Sequence, residues 1–158
     1  AREAGVPTRF IELAGEINSN MPDYVVSKLR EVLDRRLGLG LTRARILIMG
    51  IAYKKNIPDM RESPSVRLLS LLRAAGAQVA FHDPHVPEIP RMREYPELKG
   101  YKSVPFVEID PTDFDAILIA TDHDAIDYAA LAAMNLPIID TRNAMQRHKL
   151  PMENVTKA

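Results

Sequence analysis

Ile46-Leu47-Ile48-Met49-Gly50 is the stretch that decides the fold. Four apolar residues run without a polar break and stop at glycine. A helix would need a longer run, and a half-exposed strand would alternate. The pattern fits a central parallel strand covered on both faces. Downstream, Ser63-Pro64 is an N-cap followed by proline at the first helical position, which opens a helix. Val66, Leu68, Leu69 and Leu72 then recur on one face, and Gly76 stands where a helix closes. Gln78 to Phe81 reads as the next strand, stopped by Asp83-Pro84. Asp115 to Ala120 is another, followed by a helix capped by Asp122 or Asp124 and running to about Met134. Pro137 to Asp140 reads as the last strand, and the tail after Lys149 reads as loose.

Strands alternating with helices predict an α/β fold, a Rossmann-like doubly wound parallel sheet with right-handed crossovers. Residues 84–111 are proline-rich and predict an irregular segment. At most it holds one helical turn near Arg91–Glu94 and a short strand near Val104–Val107. Upstream, residues 8–37 predict two helices. Thr8 caps the first, with Phe10, Ile11, Leu13, Ala14 and Ile17 on one face. Asn20 caps the second, Pro22 sits in its first turn, and Val25, Val26, Leu29, Val32, Leu33 and Leu37 line one side. Gly38 and Gly40 end this segment. The expected organisation is therefore a helical segment over 1–40 preceding the sheet domain over 41–158.

Composition narrows the function. Lys+Arg and Asp+Glu both number 21, so there is no electrostatic footprint for nucleic acid or for an anionic membrane surface. The apolar run Ile46–Ala52 is too short to span a bilayer. No apolar segment of the signal-peptide kind follows Ala1-Arg2-Glu3-Ala4. A first residue other than Met leads us to expect a piece of a longer polypeptide. The absence of cysteine excludes disulfides, thiolate metal sites and cysteine nucleophiles among these residues. The four histidines show no metal-ligand spacing, and His82-Asp83-Pro84-His85 reads as a polar loop after a strand.

Ligands of such sheets bind beyond the carboxyl ends of the strands, where the winding reverses. That rule nominates three loops: Gly50 to Arg61, Thr121 to Asp124, and Asp140 to Asn143. The first is not G-x-G-x-x-G, and Glu62 places a carboxylate just before the helix, where it would repel a pyrophosphate. The loop instead offers Lys54, Lys55 and Arg61 beside Tyr53. An aromatic ring and ammonium groups suit a nucleotide, although surface lysines are also commonly just solvated. Arg142 either reaches into the crevice to grip an anion or pairs on the surface with Asp140. His123 is a candidate for catalysis, against a simpler part in the start of the next helix.

The run from Ile46 through Tyr53-Lys54-Lys55, continuing Asp59-Met60-Arg61-Glu62-Ser63-Pro64-Ser65, resembles the signature of the UDP-glucose/GDP-mannose dehydrogenase family. Gly76-Ala77, Asp83-Pro84-His85-Val86-Pro87, Ala120-Thr121-Asp122-His123 and Asp140-Thr141-Arg142 follow in that family's order. The opening Gly5-Val6-Pro7-Thr8-Arg9-Phe10 through Asn18 is most similar to the branch that oxidises UDP-N-acetylhexosamines. The resemblance implies the C-terminal, UDP-sugar-binding domain of a cytoplasmic, NAD-dependent 6-dehydrogenase serving polysaccharide precursor synthesis. It leans toward UDP-N-acetylglucosamine as the sugar nucleotide. It implies that Tyr53 and Lys54 lie on the UDP-sugar, that Arg142 reaches the substrate, that Arg61 faces the cofactor, and that Asp59 orients the loop. It also implies a homodimer formed through the helical segment. The family's catalytic cysteine and NAD domain have no counterpart here, so no residue of this chain is expected to be catalytic, and none to bind a metal. The alternative is a free-standing Rossmann-like module for nucleotide binding or dimerisation.

Overall fold

A computed structural model describes the backbone of the chain from Val6 and its side chains from Met21. Strands β1 (Arg45–Met49), β2 (Gln78–His82), β3 (Ala116–Ile119), β4 (Ile138–Asp140) and β5 (Val155–Lys157) form one five-stranded sheet. Its order is β2-β1-β3-β4-β5 and every pairing is parallel. The chain leaves β1 toward β2, then returns past β1 to β3, so the winding reverses between β1 and β3. The helices are α1 (Val6–Leu37), α2 (Pro64–Ala74), α3 (Tyr128–Ala133) and α4 (Ala144–Arg147). Alternation along β1 divides the core. Ile46 and Ile48 face one cluster with α2 and the second half of α1, while Leu47 and Met49 face the other with α3 and α4. Both faces of the sheet are therefore covered, as the unbroken apolar run requires.

The local signals act as their chemistry demands. Ser63 accepts a hydrogen bond from the Ser65 N–H and Pro64 takes the first helical position of α2. Val66, Leu68, Leu69 and Leu72 are buried. At the other end Gly76 has φ +91, and the bonds Ala77 N to Leu72 O and Gly76 N to Arg73 O close a Schellman motif.

Four expectations are corrected. The two helices over 8–37 are one, α1, with Pro22 inside it. The helix is already formed at Val6, so Thr8 does not open it, and Asn20 lies within it rather than at a second start. The face expected at Phe10 to Ile17 concerns side chains outside the described residues. Pro22 forfeits one backbone hydrogen bond. It is nevertheless buried in the same stripe as Val25, Leu29, Val32 and Leu33, which pack on α2. Packing on a neighbour, not propensity, carries the helix through the proline. Leu37 leaves that stripe and is exposed. The short strand at Val104–Val107 is instead a 3-10 turn at Phe106–Glu108, with further 3-10 turns at Pro96–Leu98 and Pro111–Asp113 and none at Arg91–Glu94. Val104 still covers the β2 edge, donating to Phe81 O while its carbonyl meets His82 Nδ1. The cap of α3 is Asp127, not Asp122 or Asp124. Finally, the tail is not loose. β5 pairs with β4, and Leu150, Met152 and Val155 pack on the second core cluster.

Gly50 ends β1 at φ +87, and a Cβ there would stand 2.3 Å from the Thr121 carbonyl oxygen. The first turn after β1 thus lies directly on the end of β3. Gly50→Ala should lower stability by about 2–5 kcal/mol, a left-handed penalty plus an overpacking cost. Urea unfolding reads this, and an unchanged midpoint would show that the two strand ends separate freely.

Candidate nucleotide-binding cleft

The carboxyl ends of the strands open into a cleft of about 1490 Å³. Its floor includes Ala120 at the end of β3 and Thr141 and Arg142 after β4. One wall is the loop after β1 with Tyr53 and Lys54, continuing to Arg61 ahead of α2. The other is built by Met21, Pro22 and Val25 of α1 with residues 85–88 and 90–95. All four residues singled out in the sequence, Tyr53, Lys54, Arg61 and Arg142, line this one cleft. Two of the three nominated loops contribute to it directly. The third, after β3, does not line it beyond Ala120 and lies beneath, where it braces the others.

Arg142 is anchored rather than loose. Its Nε donates to Ala120 O at 2.9 Å. Asp140 does not pair with the guanidinium. Its carboxylate is spent on backbone N–H groups, Oδ1 on Arg142 and Oδ2 on Met145 at the start of α4. The surface-pair alternative is therefore not what the side chain does. Neither Lys54 nor Arg142 forms an ion pair within 4 Å among the described residues. Arg61 differs. Its Nε and one terminal nitrogen grip Asp59 at 3.1 and 3.0 Å, and its N–H also donates to Asp59 Oδ1. These bonds hold the Asp59 carboxyl down at about 2. The Asp59 carbonyl in turn accepts from the Tyr53 N–H at 2.7 Å, so Asp59 does tie the two ends of the loop together.

Beneath the loop stands a buried carboxylate that sequence reading passed over. Asp83 Oδ2 accepts from the N–H groups of Ile51 and Ala52 and from His123 Nε2, at 2.7, 3.1 and 2.8 Å. Oδ1 accepts from the N–H groups of His85 and Val86. Burial alone pushes this carboxyl up, but the His123 hydrogen bond and the backbone donors outweigh it and hold it below the ordinary aspartate value. Thr121 adds a second brace, its hydroxyl donating to Ala52 O. Since that proton is used, Ser65 Oγ must donate to Thr121 Oγ1 across 3.1 Å. Ser63 Oγ takes up Ile51 O. The nearest sequence signal for Asp83, Thr121 and His123 was their position: polar residues just after the ends of two parallel strands. His123 is fully buried with Asp83 and belongs to this scaffold, not to the cleft surface. Among the described residues no group of His, Asp or Glu could hold a metal ion, and no helix is long and apolar enough to cross a membrane.

Comparison with known proteins shows the family. The profile described as "UDP-glucose/GDP-mannose dehydrogenase family, UDP binding domain" matches residues 47–147. The chain belongs to this family. A UDP-N-acetyl-D-mannosamine dehydrogenase of Methanococcus maripaludis is 32% identical over 148 residues, covering 87% of this chain and 31% of the relative. A UDP-glucose 6-dehydrogenase of Haloferax volcanii is 30% identical over 154 residues, covering 94% and 33%. Among solved structures, the UDP-D-ManNAc dehydrogenase of Pyrococcus horikoshii superposes with a TM-score of 0.69 at 25% identity, covering 93% of this chain and 32% of that one. The chain thus spans about a third of the length of the curated relatives it matches. It is similar to the UDP-binding domain of UDP-sugar dehydrogenases, and the Rossmann-like α/β architecture is common to them.

Asp83, on which five hydrogen bonds converge, should tolerate substitution poorly. Asp83→Asn would turn an amide N–H toward the N–H donors of Ile51 and Ala52, at a cost of about 2–5 kcal/mol. The acid limb gives a second reading. The native carboxyl titrates below its unfolded value, so its contribution is full above the unfolded value and is lost as pH falls through the native one. Stability measured by urea against pH should therefore lose part of its acid dependence in Asp83→Asn. An unchanged acid limb would mean that Asp83 is not held low.

Proposed function

We propose that the cleft binds the uridine diphosphate of a UDP-sugar. Lys54 and Arg142 meet the phosphate charge, and Tyr53 offers a ring face to the nucleotide sugar. The observation that carries this reading is that Tyr53, Lys54 and Arg142, drawn from opposite ends of the domain, line one cleft at the winding reversal. An anchored guanidinium and an ammonium without an ion pair are suited to a dianionic ligand. Sugar dehydrogenase names among the relatives support UDP-N-acetylhexosamines as the substrate class.

The reaction proposed for the whole protein is the NAD-dependent oxidation of the sugar C6 alcohol to a carboxylate, in the cytoplasm, for polysaccharide precursors. The residues present do not fit an NAD cradle. The loop into α2 has glycine only at its start, Ser63 occupies the helix N-terminus, and Glu62 adds a carboxylate to the same cleft. Arg61 is the residue proposed to face the cofactor, and its guanidinium is already held by Asp59. We therefore assign the nucleotide-sugar half of the chemistry to this chain. Nicotinamide binding and the thiol that captures the aldehyde belong to polypeptide outside these residues. A homodimer through α1 is proposed from Met21 and Tyr24, both exposed on that helix. A monomer in sedimentation at high micromolar concentration would end that part of the proposal.

Titration with UDP, followed by NMR or calorimetry, tests the site. With the cleft open to water, exposed charge contacts contribute up to about 1 kcal/mol each. The expected dissociation constant is about 0.1–1 mM, or about 4–5.5 kcal/mol. Lys54→Ala and Arg142→Ala should each weaken binding about threefold to fivefold. Added salt should weaken it too, and Lys99→Ala, remote from the cleft, should leave it unchanged. Millimolar UDP that shifts no resonance at 50–61 or 140–143 overturns the site. The same chain given NAD and a UDP-sugar should form no NADH, and turnover would place the redox chemistry within these residues.

A further inference from the structure

We propose that His123 is a positioning residue for this cleft: locked in one tautomer by Asp83, its imidazole docks the backbone of Asn56 and thereby sets where the Tyr53–Lys54 turn stands. The proposal rests on the reading that Lys54 meets the diphosphate. Asn56 N–H points at His123 Nδ1 across 2.8 Å. A backbone N–H can only donate, so Nδ1 carries a lone pair and the ring proton sits on Nε2. That proton faces Asp83 Oδ2 at 2.8 Å. The ring is thus a neutral bridge, its two nitrogens facing opposite partners, with no choice of tautomer left to it.

The bridge joins two ends of one loop. Asp83 holds the loop's beginning at Ile51 and Ala52, while His123 holds its far side at Asn56. Asn56 is a demanding position, with φ +67. Its side chain completes the clasp, Nδ2 donating to Asp124 Oδ2 at 2.8 Å and Oδ1 accepting from Asp124 N–H at 3.0 Å. Tyr53 and Lys54 lie between the two fixed points and are exposed on the cleft. Among the described residues neither side chain makes a hydrogen bond or an ion pair, so the backbone on either side fixes their place. The imidazole is fully buried with the His85 ring at 4.7 Å, and the residue's backbone carbonyl accepts from the Tyr128 hydroxyl. It is out of a ligand's reach and acts through Asn56.

Two isosteres separate its two bonds. Asparagine at 123 places an amide oxygen near the Nδ1 position and can keep the Asn56 bond while losing Asp83. Glutamine places an amide N–H near the Nε2 position and can keep Asp83 while losing Asn56. Three quantities are measured in the wild type, His123→Asn and His123→Gln: UDP affinity, the urea midpoint, and hydrogen exchange at the Asn56 amide. Ring ¹⁵N shifts of the wild type should report protonated Nε2 and bare Nδ1. The expected result is that His123→Gln binds UDP about threefold to tenfold more weakly, the worth of one lost hydrogen bond, with fast Asn56 exchange. His123→Asn should stay within about twofold of wild-type affinity with slow exchange, even where its urea midpoint is the lower of the two. If affinity follows the urea midpoint in both variants, or if Nδ1 is protonated, His123 is a stabilising residue and the proposal is overturned. A wild type that binds UDP while the variants are equal sinks only the proposal. A wild type that binds no UDP sinks the cleft reading and this proposal with it.

Discussion

The buried carboxylate of Asp83 gathers the loops that follow β1, β2 and β3 onto one side chain. Five hydrogen bonds converge on its two oxygens, four from backbone N–H groups and one from His123. An ionised carboxylate inside a protein is costly unless its lone pairs are filled. Here they are filled by groups that would themselves be orphaned, because the chain at Ile51, Ala52, His85 and Val86 has left the sheet ladder. Each partner removes the other's penalty. The outcome is a rigid platform on the sheet's carboxyl edge, from which only exposed side chains reach into the cleft.

That division explains what could be read from the sequence. Signals confined to a few neighbouring residues were legible: the apolar runs of β1 and β3, Ser63-Pro64 at the start of α2, and Gly76 at its close. So was the family pattern around Tyr53, Lys54 and Arg142. What failed depended on partners distant in the chain. Pro22 marks a helix start locally, yet α2 packing carries α1 through it. Val155–Lys157 is too short and polar to announce a strand, and becomes one because β4 offers an unpaired edge. Asp83 and His123 are 40 residues apart, and each alone looks like loop polarity. Asp122 and Asp124 looked like caps, but one meets Arg147 and the other clasps Asn56, leaving Asp127 to cap α3.

The cleft combines a rigid base with wet walls. Arg142 hangs from the Ala120 carbonyl, and the Tyr53–Lys54 turn is strung between Asp83 and His123, so the backbone cost of placing these groups is met by folding rather than by ligand binding. Their charged ends remain in water, where a single contact contributes little. As the proposed site, such a surface would recognise a charged nucleotide loosely by itself. It would do so far more strongly once a second wall excluded water, since the same charges then act at lower dielectric.

The start of α2 shows why those charges must come from side chains. In many nucleotide-binding sheets a glycine-rich turn delivers bare N–H groups of a helix N-terminus to a pyrophosphate. In this chain Ser63 Oγ already takes the Ser65 N–H, and its own proton goes to Ile51 O. Glu62, at φ +57, stands at the mouth of the same turn and adds negative charge. Little of the helix end is left to attract an anion. In the proposed site the attraction falls to Lys54 and Arg142, set on loops from opposite ends of the domain and brought together because the winding of the sheet reverses beside β1. A ligand held this way would be held by ammonium and guanidinium groups, and its affinity would fall with ionic strength more steeply than that of a phosphate cradled by backbone.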